Sequence, residues 1–368
     1  MTKVRHVLGI SGGKDSTALA IYLRDHYPEL DLEYYFCDTG KELAETYQLI
    51  ADLEAYLGKP IVRLNAVPGS VEDPFDHFLT MYGGYLPSPG TRWCTRKLKL
   101  EPFESWIGDD PVISYVAIRG DEHREAYISR KPNIQSIFPF RKNMWSEDVV
   151  ARVLRNGSIE KVATLYQANT HQDKWVQIGE VVTRPISPRW DRVAKLNALL
   201  DVDTPLFNRV VFEFLQETDY TLSHVRDFPL LPNQDNLIKS DIFRLLEDSG
   251  VGLPKYYNEC EFELDGKKGT YHRTRSGCYF CFFQQKIEWV WLYEQHPELF
   301  RKAMAYEKDG FSWHQEERLE DLIKPDRLQQ VKQEHLARLS RRSQVRSNLL
   351  LEILEDDDEE VGCAACFI

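Results

Sequence analysis

Nowhere in the chain do about 18 apolar residues run together, so no helix is expected to cross a membrane. The opening Met-Thr-Lys-Val-Arg-His-Val-Leu-Gly-Ile is broken by charge too early to act as a secretory leader. Positive charge is in deficit. The 46 Lys and Arg stand against 58 Asp and Glu, a formal net charge of −12, which excludes a generally basic nucleic-acid coat but leaves room for a local basic groove. Cysteine is sparse as well: 7 residues among 368 are too few for a disulfide scaffold, and an odd number suits a reducing compartment. No internal repeat is visible. A cytoplasmic protein with no membrane partner is therefore expected. The 42% hydrophobic and 12% aromatic content is ample for a packed core, and the length fits two domains or one enlarged domain.

Residues 3–10 read as a buried strand, followed by a loop at 11–15 and helical spacing from Ser16 to Tyr27. A second strand fits Leu32–Cys37, a helix Leu43–Leu57, a third strand Ile61–Leu64 and a further strand Val112–Ile118. This alternation predicts an α/β fold, a doubly wound and mostly parallel sheet with helices on both faces. In such sheets ligands sit at the carboxyl ends of the strands, so the loops 11–15, 38–41 and 119–124 are expected to meet. The pattern weakens after Arg152, and 156–236 reads as an inserted subdomain. Helical spacing returns at Asp241–Leu246, Trp289–Tyr293 and Leu299–Tyr306. Residues 315–355 are charged and helix-favouring, with a break at Pro325, and an acidic run at 355–360 precedes the terminal Cys363-Ala364-Ala365-Cys366.

Ser11-Gly12-Gly13-Lys14-Asp15-Ser16-Thr17 lies between a strand and a helix. Two glycines let the backbone approach an anion, and the free N–H groups and dipole of the following helix favour negative charge. Ser11, Ser16 and Thr17 add hydroxyls and Lys14 a cation, in a spacing unlike Gly-x4-Gly-Lys-Ser/Thr. The competing reading is an ordinary glycine turn capped by Ser or Asp. Cys260, Cys278 and Cys281 form Cys-x17-Cys-x2-Cys, in which the Cys-x-x-Cys pair puts two thiolates within reach of one metal or cluster. His272 between them offers a Cys3His zinc site. Buried cysteines without a ligand are the bland alternative. Arg92, Arg96, Lys97 and Lys99 make one basic cluster and Lys267, Lys268, Arg273 and Arg275 another, suited either to a phosphate backbone or to a solvated face.

The loop string resembles the PP-loop of ATP pyrophosphatases, which cleave ATP between the α- and β-phosphates. Phe36-Cys37-Asp38-Thr39-Gly40 with Glu45-Thr46, Arg92-Trp93-Cys94-Thr95-Arg96-Lys97, and Ile118-Arg119-Gly120-Asp121-Glu122-His123-Arg124 resemble motifs of the phosphoadenosine phosphosulfate (PAPS) reductase branch, the last with a shifted glycine. The likeness covers about 1–152 and 237–310. It implies an adenine nucleotide alpha hydrolase-like fold, with ATP held by Ser11, Gly12, Gly13, Lys14, Asp15, Ser16 and Thr17. Mg²⁺ would accompany ATP, with Asp15 either reaching the metal or pinning the loop. Asp38 would accept a nucleotide hydroxyl or amine, unless it is only a turn residue beside Gly40. Lys14, Asp15 and Arg119 are the expected catalytic residues, with Arg119 and Arg124 stabilising charge on the α-phosphate unless they merely form surface ion pairs.

The related cluster-bearing sulfate reductases imply Cys94 as the fourth ligand of a [4Fe–4S] centre with Cys260, Cys278 and Cys281, zinc being the alternative. Gly252-Leu253-Pro254-Lys255-Tyr256-Tyr257 and Arg275-Ser276-Gly277-Cys278-Tyr279-Phe280-Cys281-Phe282-Phe283 resemble the ATP pyrophosphatase component of bacterial DNA phosphorothioation systems. That resemblance implies adenylylation of a DNA phosphate oxygen, so that cluster-bound or persulfide sulfur from a cysteine desulfurase displaces AMP. The Glu-Cys-Gly-x-His ending of PAPS reductases is absent. Cys363 and Cys366 are read as a thiol pair that carries persulfide or reduces a disulfide, or as a dispensable tail. The expected divisions are a nucleotide core at 1–155, an insertion at 156–236, a cysteine-bearing segment at 237–310 packed on the core, and a charged helical tail at 311–368. The rival functions are a PAPS-type reductase, an RNA-thiolating enzyme and a nucleotide sensor without turnover.

Overall fold

The computed structural model describes residues 3–122, 129, 131–308, 310–314 and 316–344, excepting the side chains of 342–344. Five parallel strands form the central sheet: β1 Arg5–Gly9, β2 Leu32–Asp38, β3 Ile61–Asn65, β4 Val112–Tyr115 and β5 Ile134–Ile137, in the order β3-β2-β1-β4-β5. The central strand pairs His6 with Leu32 on one side and Ile113 on the other. Its two-residue period divides the core. Val7, Tyr35, Val112 and Ile134 face Phe103 and Ile107 of the helix Glu101–Ile107. Leu8, Tyr34, Ile113 and Ile137 face the opposite layer, which holds α1 (Lys14–His26) and α2 (Ala44–Leu57). Helices thus cover both faces, as the strand–helix alternation predicts for a doubly wound sheet.

Val112–Ile118 was expected to be one strand, but pairing ends at Tyr115. β5 was not anticipated, because Ile-Gln-Ser-Ile is short and reads as half polar. Its buried Gln135 accepts the Leu222 amide through Oε1 at 3.0 Å, while its Nε2 has no partner among the described residues. Residues 156–236 build the helices Ile159–Asn169, Gln172–Thr183 and Arg192–Leu215. Their Tyr166, Ile178, Leu199, Phe207 and Val211 enter the same core as Leu8 and Leu19. The last helix breaks at Asp203 (φ −167°, ψ 99°), whose Oδ1 accepts the Leu206 N–H at 2.8 Å and so restarts it around Pro205. Pro325 does not interrupt a helix; it begins Pro325–Gln344.

A second, aromatic core builds on α3 (Pro74–Met81) and the helices Lys286–Gln295 and Pro297–Tyr306. Phe75, Trp93, Phe280, Trp289 and Trp313 fill it, with Phe280 stacked on Trp313 at 4.8 Å. The antiparallel hairpin β6 (Cys260–Leu264) and β7 (Lys267–Tyr271) turns at Asp265-Gly266, both at positive φ (50° and 72°). An Asp-Gly pair of this kind is a strong hairpin signal that sequence reading missed. Among the described residues no helix is long and apolar enough to cross a membrane.

Candidate functional site

Strands β2 and β3 lie to one side of β1, while β4 and β5 lie to the other, so chain direction across the sheet reverses between β1 and β4. Beyond the carboxyl ends of that pair lies the crevice where doubly wound sheets take their ligands. The loop 11–17 leaves β1 there and enters α1. Gly12 is left-handed (φ 71°), and a Cβ on it would lie 2.3 Å from Thr46 Cγ2 on α2. A Cβ on Gly13 would lie 2.5 Å from Ser276 Oγ. Replacing Gly12 by alanine should therefore cost about 2–5 kcal/mol, the sum of a disfavoured backbone and an overpacked contact, measurable by urea unfolding.

The hydroxyls are already oriented. Ser16 Oγ accepts the Ser11 N–H at 3.1 Å and lies 3.0 Å from Ser11 Oγ, while Thr17 Oγ1 donates to the Gly13 carbonyl at 2.9 Å. Asp15 is buried between two cations, with Arg119 Nη1 at 3.0 Å from Oδ1 and Lys14 Nζ at 3.4 Å from Oδ2. Burial alone would raise its pKa, but Lys14 and Arg119 outweigh burial and hold the carboxylate below its ordinary range. Arg119, only 4% exposed, also meets Asp121 at 2.9 Å and Glu122 at 3.2 Å. These carboxylates hold the guanidinium charged against the cost of burial. The loops after β1 and β4 are thus clasped by a buried ion-pair network rather than by surface pairs. In this arrangement Asp15 pins the loop. Arg124, with His123, lies outside the described residues.

The loop after β2 is organised separately. Asp38 Oδ1 accepts from the Gly40 amide at 2.9 Å and the Tyr47 hydroxyl at 2.8 Å, a turn arrangement; no described hydrogen bond or ion pair joins it to 11–17. Thr39 Oγ1 donates to Glu42 at 2.7 Å and lies 3.2 Å from Cys278 Sγ, and the Tyr279 amide donates to the Lys41 carbonyl at 2.9 Å. What bridges the first and second loops is the segment after β7. Thr274 and Ser276 meet Lys14 and Gly13, and Cys278 meets Thr39. Tyr256, Tyr257, Thr274 and Ser276 were not singled out as site residues in the sequence, because no spacing rule connects positions this far apart.

The cysteines do not assemble as the resemblance implies. Cys94 (on the helix Trp93–Thr95), Cys260 (in β6) and Cys278 all pack against the aromatic core, and none of the five described cysteines forms a disulfide. Cys260 lies beside Trp291 and Glu294, whereas Cys278 lies beside Thr39, Glu42 and Cys281; burial raises the pKa of both thiols, Cys278 the more. His272 Nδ1 donates to the Arg273 carbonyl at 2.7 Å. Among the described residues no group of three or more His, Cys, Asp or Glu side chains is placed to hold a metal ion. The arrangement lends no support to a [4Fe–4S] or zinc site. Cys363 and Cys366 lie outside the described residues.

Arg92 has a strained backbone (φ 23°), and its guanidinium sits 5.1 Å over the Phe283 ring. Arg96 and Lys97 share Glu101. They ride on a π-helical turn, Arg96–Leu100. Arg273 does not join the second basic cluster at the surface. It is 0% exposed, between the rings of Tyr256 and Trp291, each 5.8 Å away.

No family model matches the chain, and no solved structure matches it. Curated proteins do. An uncharacterised protein of Methanocaldococcus jannaschii is 32% identical over 145 residues, 36% of this chain and 28% of that protein. The tRNA-specific 2-thiouridylase MnmA of Francisella philomiragia is 30% identical over 108 residues, 27% of this chain and 30% of that protein. Its counterpart in Pseudomonas fluorescens is 26% identical over 182 residues, covering 46% and 48%. The chain thus spans between 28% and 48% of the length of these relatives. Together with the glycine- and hydroxyl-lined loop, these distant likenesses support the PP-loop superfamily.

Proposed function

We propose that the chain is an ATP pyrophosphatase that activates a nucleic-acid oxygen for replacement by sulfur, with a DNA backbone phosphate as acceptor. The observation that carries this reading is the loop 11–17 at the reversal point of the sheet, with Lys14 beside the amino end of α1 and Asp15 clasped by Arg119. The acceptor oxygen attacks the α-phosphorus of MgATP, the α–β bond breaks and pyrophosphate leaves. A persulfide delivered by a cysteine desulfurase then attacks the acceptor phosphorus through its terminal sulfur, and AMP departs with the original oxygen. A thiol reductant attacks the carrier's inner sulfur, taking the carrier as a disulfide and leaving the terminal sulfur on phosphorus. The chain's own work is placement and charge. The first amides of α1 and the Lys14 ammonium hold the departing pyrophosphate, and Arg119, released in part from its carboxylates, faces the α-phosphate.

RNA thiolation is the second reading, favoured by the relatives named as tRNA-specific 2-thiouridylases. Incubation of the chain with α-labelled ATP, Mg²⁺ and its desulfurase, with DNA or RNA as acceptor, separates the alternatives. AMP and pyrophosphate formed with DNA, and phosphorothioate linkages found by mass spectrometry, are the expected result. Thiolated nucleosides in RNA would select the second reading. ADP as the spent nucleotide, or nucleotide binding with no turnover, would overturn both.

A further inference from the structure

Four contacts join the loop 11–17 to a segment about two-thirds of the chain away. The Tyr256 hydroxyl donates to the Gly12 carbonyl at 2.9 Å. The Lys14 amide donates to the Tyr257 hydroxyl at 3.4 Å, across 243 residues of sequence. Lys14 Nζ reaches the Thr274 carbonyl at 3.5 Å, and Ser276 lies against Gly13. From there the connection runs on by hydrogen bonds. The Arg273 amide donates to the Tyr256 carbonyl at 3.0 Å, and Arg273 Nη2 donates to the Cys278 carbonyl at 3.2 Å. Arg273 Nε and Nη1 are buried without a partner among the described residues. Buried donors left unmade are costly, so this joint holds its position without being fully satisfied in it.

The Lys14 amide is one of the first N–H groups of α1, which no carbonyl of the helix can satisfy and toward which anions are drawn. The phenol oxygen of Tyr257 therefore stands where an anion oxygen would. Its contact is long for an N–H···O bond and readily exchanged. The Tyr257 side chain hydrogen-bonds the neighbouring Tyr256 phenol, whose own hydrogen goes to the Gly12 carbonyl, so the Tyr257 O–H turns from Tyr256 to reach a bound anion. Burial and the nearby Asp15 charge raise the phenol pKa, so it stays a neutral donor. The ring remains in place beneath the Lys14 ammonium, 5.3 Å from its centroid.

We propose that the Tyr257 hydroxyl is a direct ligand of the anion held by the loop, and that through it loop occupancy is transmitted to the segment bearing Cys278 and Cys281. The inference rests on the nucleotide reading above and adds to it a positioning residue and a route. On binding, a phosphate oxygen takes the Lys14 N–H and receives the Tyr257 O–H, while Lys14 Nζ leaves Thr274 for the phosphate. The contacts on 256–278 then differ between the empty and filled states, which is the condition for coupling, and the coupling is reciprocal.

The test uses magnesium pyrophosphate and α,β-methylene-ATP as probes, with calorimetry and hydrogen–deuterium exchange on the full chain. Tyr257→Phe keeps the ring and should weaken both probes on the order of tenfold, the scale of one hydrogen bond to a charged group, with an unchanged melting temperature. In the wild-type chain either probe should slow exchange across 271–281, and Tyr257→Phe should lose that response. Wild-type affinity in Tyr257→Phe overturns the inference. So does an unaltered exchange pattern over 271–281 when the wild-type chain is saturated, a result that needs no variant to fold. If the wild-type chain binds neither probe, the nucleotide reading itself fails, a separate outcome.

Discussion

Lys14→Ala is expected to slow pyrophosphate release from ATP by about 10²–10³-fold, the loss typical of removing one preorganised donor from developing negative charge. The ammonium is nearly buried yet loosely held, its polar contacts among the described residues being 3.4 Å to Asp15 and 3.5 Å to the Thr274 carbonyl. A cation in a low-dielectric recess that is not tightly spent on its own protein is poised for a polyphosphate. Its removal breaks no short hydrogen bond among the described residues and leaves Asp15 paired with Arg119, so the fold should survive with a lowered melting temperature. A coupled pyrophosphate assay beside a thermal melt separates these two effects. Unchanged turnover in a folded variant would remove the nucleotide assignment.

Arg119→Ala acts in the opposite way. It is expected to destabilise the fold by about 3–5 kcal/mol, the usual result of leaving buried carboxylates without their cation. Asp15, Asp121 and Glu122 all lose the same partner. The pH dependence carries a second signature. A carboxyl whose folded pKa lies below its unfolded value contributes stability that is full above the unfolded value, 3.8 for Asp15, and is lost as pH falls through the folded value. Without Arg119, burial of Asp15 is opposed chiefly by Lys14, so its folded pKa moves up toward the unfolded value and less stability is left to lose on acidification. Urea midpoints measured from pH 3 to 6 should lie lower for the variant throughout and fall less steeply on acidification than those of the wild type. Parallel curves would mean that the clasp between the two loops carries no charge-dependent stability.

Local chemistry decided what could be read without coordinates. β1, α1, β2, α2 and β3 follow from runs whose burial is visible in their composition, and the loop 11–17 from glycines and hydroxyls adjacent in sequence. β5 escaped notice because Gln135 and Ser136 are buried polar residues, and the Gln135 carbonyl finds its donor more than 80 positions later. The three helices of 156–236 were obscured by Pro205, which is tolerated because Asp203 restarts the helix beside it. Arg273 looked like surface charge beside lysines, since nothing in its neighbours along the chain announces the rings of Tyr256 and Trp291. The cover of the phosphate loop was invisible for a plainer reason: it depends on pairings between distant parts of the chain, which leave no trace in local periodicity.

Those distant pairings bear on the order in which the molecule is made. As the chain leaves the ribosome, β1, β2 and β3 emerge with the loop between the first two, but β4, which supplies the other neighbour of β1 and leads into Arg119, comes far behind. Tyr256 and Thr274 come later still, 244 and 260 residues after their partners Gly12 and Lys14. For much of its synthesis the nascent protein therefore presents a glycine-lined recess with neither its clasp nor its cover, and closure of that recess is among the last events of folding.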